Sequence, residues 1–232
     1  YTLVNKTTRS IDTLLIKSGY DEITHLSFDE AVTQIKSDPV FNFSIYTLDK
    51  SIAPQDSITL HFTIKNKPNT LFTQHSNVLQ NGTFIKSDVL PRLGYFAETE
   101  KSLPGDTAAM YNHYQSIDAD LIDFETIVST SSKQTAIAPG YLQKEWTEQN
   151  RRYFHYKMDK KIKFVFGFNS GEYVVFKAQH KGVDLRIYHH KQHTYCLQQM
   201  MNGLKAALDY NTAHFGEYQH RQAQIIEFPR SE

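Results

Sequence analysis

The sequence predicts a mainly β protein: an antiparallel β-sandwich over residues 1–188, then a linker, a helix and one strand over residues 189–232 that open a second, truncated domain. Three observations predict it. Apolar and polar side chains alternate along many short runs, as they do on strands with one wet face. Turn residues break those runs at short intervals, the pattern of an antiparallel sandwich. Near the end the period changes, and Leu197, Met201, Leu204, Leu208 and Phe215 recur at helical spacing.

The chain opens inside a strand-like run at residues 1–4, which reads as an internal start within a longer polypeptide. A strand follows at 14–16, a short helix is expected at 27–35, and another strand at 41–48. Ile58, Leu60, Phe62 and Ile64 alternate with Thr59, His61 and Thr63 after an Ala-Pro-Gln-Asp turn, so a hairpin or meander begins there. Residues 94–117 are polar, carry Pro104-Gly105, and read as a long excursion with a short helix at 107–114; long loops in compact domains are often functional. Strands are expected again at 124–128, 135–138, 152–158, 163–168, 173–176 and 183–188, with Lys160-Lys161 on a hairpin turn. From Thr194 the apolar stripe defines a helix that Gly216 closes, and 224–228 reads as a buried strand. A helix and one strand cannot make a core alone. They either cover the earlier strands or belong to a body outside this sequence, and the second is the expectation.

Composition narrows the function classes. The 232 residues suffice for one large domain, or for a domain and a fragment. Lys plus Arg and Asp plus Glu number 25 each, so the net charge encodes no long-range attraction to nucleic acid, and no nucleic-acid partner is expected. No run approaches the ~20 apolar residues of a membrane span. The single cysteine, Cys196, precludes an intrachain disulfide or a multi-cysteine metal site and reads as a packing residue. Asn-x-Ser/Thr triplets at Asn5, Asn42 and Asn81 are too common by chance to carry weight.

Three blocks in order carry a resemblance. Residues 120–128 (Asp-Leu-Ile-Asp-Phe-Glu-Thr-Ile-Val), 136–146 (Ala-Ile-Ala-Pro-Gly-Tyr-Leu-Gln-Lys-Glu-Trp) and 152–175 resemble the second half of the amino-terminal β domain of aminopeptidase N-type zinc metallopeptidases. Arg152-Tyr153-Phe154-His155-Tyr156 is similar to that domain's aromatic-rich strand, and 164–173, with Gly167 and Gly171, to its strand ending in a Gly-x-aromatic turn. Phe215-Gly216-Glu217-Tyr218 before Ile225-Ile226-Glu227-Phe228-Pro229 is similar to the junction where the catalytic domain begins. The wording is most similar to the bacterial forms fused to ABC-transporter permease segments.

The resemblance implies a noncatalytic domain that walls the substrate cavity. It implies zinc only in the parent protein, the rest of the parent chain as partner, with its catalytic-like domain and membrane segments, a peptide as ligand, and an extracytoplasmic or periplasmic location. The alternative is an extracytoplasmic binding or scaffold module, for carbohydrate or a partner protein, attached to a membrane transporter. The family's chemistry needs His-Glu-x-x-His, in which i and i+4 imidazoles share a helix face and the Glu activates zinc-bound water. No His-Glu dipeptide occurs here. The family's aromatic-Pro-Cys-aromatic-Asp-Glu-Pro motif would fall at 89–100, where Leu90-Pro91-Arg92-Leu93-Gly94-Tyr95 keeps only a proline and an aromatic. No catalytic residue is assigned, and no cofactor is expected in the chain itself.

The remaining candidates have ordinary readings beside them. His189, His190 and His193, with Tyr188 and Tyr195, are the densest set of candidate metal ligands, but a closed zinc site wants three or four and no acidic partner is near in sequence. An interdomain linker with solvated histidines is the expectation, and no metal site is assigned. Asp118, Asp120, Asp123 and Glu125 could be drawn as a calcium loop or a carboxylate pair, yet a strand begins there and sends alternate residues to opposite faces. Ser170-Gly171 lacks a nucleophile elbow, and Cys196 lacks an activating neighbour. Lys157, Lys160, Lys161 and Lys163, interleaved with Tyr156 and Phe164, read as lysines at a strand edge and not as a nucleic-acid groove. Trp146 reads as core or rim.

Overall fold

The computed structural model describes residues 1–19, 22–66, 78–79, 82–94, 105 and 121–228. The expected helix at 107–114, Asn81, Asp118, Asp120 and positions 95–100 of the compared motif lie outside them. The first strands are β1 (Thr2–Val4), β2 (Ile11–Lys17), β3 (Glu22–Phe28), β4 (Val32–Asp38), β5 (Phe43–Ile52), β6 (Ser57–Lys65), β7 (Val78–Leu79), β8 (Gly82–Lys86) and β9 (Arg92–Leu93). Next come β10 (Glu125–Ser131), β11 (Thr135–Ile137), β12 (Tyr141–Glu148), β13 (Arg151–Lys157), β14 (Gly167–Gly171), β15 (Tyr173–His180) and β16 (Val183–His190). Helix α1 (Leu197–Phe215) and strand β17 (Gln222–Ile226) close the described chain. The protein is mainly β.

Two compact units divide these elements. The first comprises Tyr1–Lys67, Lys86–Asp123 and Lys160–Phe166, and holds sheets ordered β1-β6-β3 and β4-β5-β2-β9. Leu48, Ile52 and Ile58 form its core, with Leu3, Ile11, Leu14, Phe28 and Val32 packed around them. The strand at β6 lies where alternation places it, antiparallel to both β1 and β3. The short helix expected at 27–35 is instead the end of β3, a turn and the start of β4. β-branched Val32, Thr33 and Ile35 favour a strand. The turn is pinned by Asp29, whose N–H donates to Thr59 O at 3.2 Å and whose carboxylate accepts from Thr59 N–H at 2.9 Å.

Residues 163–168 also depart from expectation, since β14 begins only at Gly167. Ahead of it the backbone is tied to Ser87, whose N–H donates to Phe166 O at 2.8 Å and whose hydroxyl accepts from Phe166 N–H at 3.3 Å. Lys160 sits on a bend and Lys161 just ahead of an isolated Ile122–Ile162 bridge, not on a tight hairpin turn.

The second unit comprises Pro68–Ile85, Phe124–Asp159 and Gly167–Glu232, with sheets β10-β13-β12, β11-β14-β8-β7 and β15-β16-β17. Phe154 and Tyr156 alternate inward from β13 onto Ala136 and Ala138. The Tyr156 hydroxyl donates to Ala136 O at 2.8 Å, which satisfies the one polar atom that ring buries. Gly140 turns the chain into β12 at φ +104, where a Cβ would stand 2.7 Å from the Lys157 backbone, so only glycine fits.

The last sheet corrects the expectation for the tail. β17 pairs in parallel with β16, Asp184–Tyr188 alongside Gln222–Ile226, and α1 is the crossover between them. Two parallel strands need such a connection, and the helix it supplies covers the sheet. Met201 and Leu208 are buried against Val183, Leu185 and Ile187, with Leu197, Leu204, Ala223 and Ile225 packed around them. The helix therefore covers strands of this same chain, and hydrogen bonds of one sheet run across positions 188 and 189. Arg221 anchors the entry to β17: its guanidinium lies 3.9 Å from the Tyr141 ring centre and pairs with Asp159 at 3.2 Å.

Two residues of the tail differ from their sequence reading. Phe215 is 79% exposed. Asp209 of α1 already pairs with His180 and Lys181 at the turn that ends the β15–β16 hairpin, so the last turn of the helix runs past the end of the sheet. Cys196 is exposed, not packed, and stands just before the helix with a left-handed backbone at φ 60.

Candidate functional site

The densest chemistry lies where β16 ends. Strand alternation sends Leu185 and Ile187 under the helix, and the strand then carries His189 and His190 into the connection to α1. His189 is buried, and its Nδ1 donates to His190 O at 2.9 Å, which fixes the tautomer and removes that nitrogen as a ligand. The imidazoles of His190 and His193 stand 5.2 Å apart, centre to centre. Because β17 runs parallel to β16, the residue that follows it, Glu227, arrives at the same corner. One carboxylate oxygen of Glu227 accepts the His190 backbone N–H at 2.7 Å, and the other pairs with His193 Nδ1. Burial pushes the Glu227 carboxyl up, but the His190 N–H and the His193 imidazole outweigh it and hold the group below its ordinary value.

The corner thus unites His190 and His193 with an acidic partner invisible in local sequence. Its only signal was a lone glutamate ending the apolar run Ile225-Ile226. These groups do not fit a zinc centre, since both carboxylate oxygens are engaged and His189 Nδ1 is occupied. Among the described residues no three His, Cys, Asp or Glu side chains are grouped so that they could hold a metal ion. The arrangement ties the connection after β16 to the chain after β17.

The other candidates disperse. Asp123 pairs with Lys161 at 3.3 Å, and Glu125 with His155 at 2.7 Å and Lys157 at 2.9 Å. The Lys157 and His155 contacts hold the Glu125 carboxyl below its ordinary value. These acids each face basic side chains and do not bring their oxygens together on one point. Ser170 is buried in β14 and donates to Gln134 Oε1 at 3.2 Å, so its hydroxyl serves the fold. Asn5 is buried too: its amide donates to Arg9 O and Ile52 O, both at 2.8 Å, and its oxygen accepts from Thr7. That side chain holds a turn together and is closed to modification. Trp146 stacks on Tyr153 at 5.1 Å and carries Lys144 Nζ 5.2 Å from its centre, so the ring is occupied by neighbours and is no open sugar platform.

Gly171 and Tyr173 give the Gly-x-aromatic turn a physical reason. A Cβ on Gly171 would stand 2.9 Å from the Tyr173 ring, and burial pushes that phenol up to about 12. Pro91 is fully buried and leads into β9, which pairs with β2, so it acts as a packing residue.

Solved structures share this fold along the whole chain. A two-domain M1 zinc metallopeptidase bound to L-tryptophan matches with a TM-score of 0.63 at 12% identity, over 100% of this chain and 52% of that one. The M1 zinc metallopeptidase of Deinococcus radiodurans matches with a TM-score of 0.59 at the same identity and coverage. A mutant of that enzyme bound to a Tyr-Ser-Ala substrate gives 0.60. The fold resembles the noncatalytic N-terminal part of M1 metallopeptidases. Neither the protein-family models nor the curated proteins contain a match. The chain spans about half the length of the M1 structures it matches. The M1-like region extends through α1 and β17, since every residue of this chain is covered.

Proposed function

We propose that this chain is the noncatalytic amino-terminal portion of a zinc aminopeptidase-like protein and walls the peptide cavity of a catalytic part supplied by the same parent. The observation that carries the reading is the fold match over the whole chain to the N-terminal half of M1 metallopeptidases. The crossover β16–α1–β17 supports it, because a strand-helix-strand unit after antiparallel sheets is how a catalytic part would be joined on. In this reading the parent protein binds zinc and the partner is the remaining chain, with a peptide at the junction. Extracytoplasmic location and fusion to ABC-transporter permease segments belong to the same proposal, and rest on the wording of the blocks at 120–128, 136–146 and 152–175. No described helix is long and apolar enough to cross a membrane.

The test is to assay the purified chain, with and without added zinc, for release of amino acids from aminoacyl-coumarin amides, alone and with the parent's following segment. The chain alone is expected to be inactive and the combination active. Zinc-dependent turnover by the chain alone would overturn the noncatalytic assignment.

A further inference from the structure

We propose that the outer edge of β17, residues 222–226, is where the chain that follows in the parent protein adds its next strand to this sheet. The inference rests on the proposed reading of a longer parent and names the surface at which its two parts join. β17 ends the sheet ordered β15-β16-β17. Two bonds at its ends show which way its peptide groups point: Asp184 N–H donates to Arg221 O at 2.9 Å, and Glu227 N–H to Tyr188 O at 2.9 Å. Along a parallel pair such bonds fall on alternate residues, so 221, 223, 225 and 227 serve β16, while Gln222, Gln224 and Ile226 turn both N–H and C=O outward. Among the described residues only the Gln222 carbonyl has a partner on that side, the Tyr218 hydroxyl at 3.2 Å, and a carbonyl accepts two bonds.

The other edge strands among the described residues carry the devices by which proteins keep sheet edges from joining. β3, β4 and β12 each break register partway, between Ile23 and His25, Gln34 and Lys36, and Leu142 and Lys144. β1, β7, β9 and β11 are only two or three residues long. β10 and β15 carry charges, Glu125 and Lys177. β17 has none of these: Gln-Ala-Gln-Ile-Ile pairs with β16 without a register shift and contains no charge and no proline. It is also held at both ends, by Arg221 on Tyr141 and Asp159 and by Glu227 on His190 and His193, so the row is fixed before a partner arrives.

A row of outward N–H and C=O groups at strand spacing is complementary to the backbone of another strand. Its length decides where that strand comes from. A second copy paired along β17 alone would cover far less than the ~1,200 Å² of a stable association. A strand tethered to the same chain escapes that requirement, because the linker sets its effective concentration. This chain matches the N-terminal half of the M1 structures and covers 52% of one of them, so in the proposed reading a comparable length follows β17. Ala223 and Ile225 lie on the α1 side of β17, packed against the buried core there. The incoming strand is expected to set apolar side chains beside them and polar ones beside Gln224.

The experiment compares hydrogen exchange at single amides in this chain alone and in the longer chain that the parent gene encodes. Gln224 and Ile226 are expected to exchange freely in the first and about 100-fold or more slowly in the second, while Ala223 and Ile225, bonded to β16, are protected in both. Gln224→Pro gives a second readout. It removes an N–H that β16 does not use, so this chain alone is expected to keep its thermal midpoint while the midpoint of the longer chain falls. Equal exchange at Gln224 and Ile226 in the two chains, or a longer chain indifferent to Q224P, would overturn the proposal. Self-association of this chain in sedimentation velocity that Q224P abolishes, without protection in the longer chain, would overturn it in favour of a contact between copies. Protection in a longer chain that lacks His-Glu-x-x-His would support this edge and sink the zinc aminopeptidase-like reading, and the motif without protection would do the reverse. A parent gene that encodes nothing after Glu232 would overturn both.

Discussion

The antiparallel strands of the first unit and the β16–α1–β17 crossover hold their cores by different means. In the first unit the core side chains all come from antiparallel strands: a turn sets the β4–β5 register, and β2 joins β5 with two other strands between them in the chain. In the crossover, Leu185 and Ile187 depend on Met201, Leu204 and Leu208 from a helix and on Ala223 and Ile225 from a strand more than thirty residues on. The two arrangements bring polar side chains together in different places. Parallel pairing carries distant residues to one end of a strand, and this is how Glu227 reaches His190 and His193. The hairpins produce exposed tips instead.

Single substitutions separate the two kinds of packing. Phe154→Ala should have the largest effect, about 3–5 kcal/mol, because it empties a fully buried ring site among antiparallel strands. Urea unfolding measures it, with protection lost first in β10, β11 and β13. Leu204→Asp should cost about 2–4 kcal/mol by placing a carboxylate on the covered face of α1, and hydrogen exchange should rise in α1 and β17 while β2 and β5 keep their protection. Unchanged exchange in the tail would contradict the packing described for the helix.

Smaller effects probe polar ties. Tyr156→Phe removes the hydroxyl that satisfies Ala136 O and should cost about 1 kcal/mol in the same urea experiment. The Glu227 corner predicts a pH effect with a definite sign. Its carboxyl lies below the ordinary 4.5 when folded, so its contribution is full above that value and is lost as pH falls through the lower folded one. Glu227→Gln should make the decline in thermal midpoint on acidification below about pH 4.5 shallower than in the wild type. Phe215→Ser, on the overhanging last turn, should change stability by no more than about 0.5 kcal/mol.

The strands were legible wherever one face is buried. Ile58 to Ile64 alternate because β6 has a dry and a wet side, and Leu197 to Leu208 recur because one stripe of α1 is covered. Residues 27–35 misled because a three-residue turn between β-branched strands has no period of its own. Phe215 fits the helical stripe but lies past the end of the sheet, a length mismatch that periodicity cannot report. The return of residues 160–166 to the first unit and the approach of Glu227 to His190 are long-range pairings, and a single sequence contains no local sign of either. The block at 136–146 was legible for the opposite reason, since Gly140 has a positive φ and stands so near the Lys157 backbone that only glycine fits.

The central claim is that this fold serves as the noncatalytic amino-terminal part of a zinc aminopeptidase-like protein. Reading the coding sequence of the parent gene on the 3′ side of the Glu232 codon tests it most directly. The account predicts a helix carrying His-Glu-x-x-His and a further glutamate ligand within the following segment. A following domain without those ligands, or a coding sequence that stops there, would contradict it.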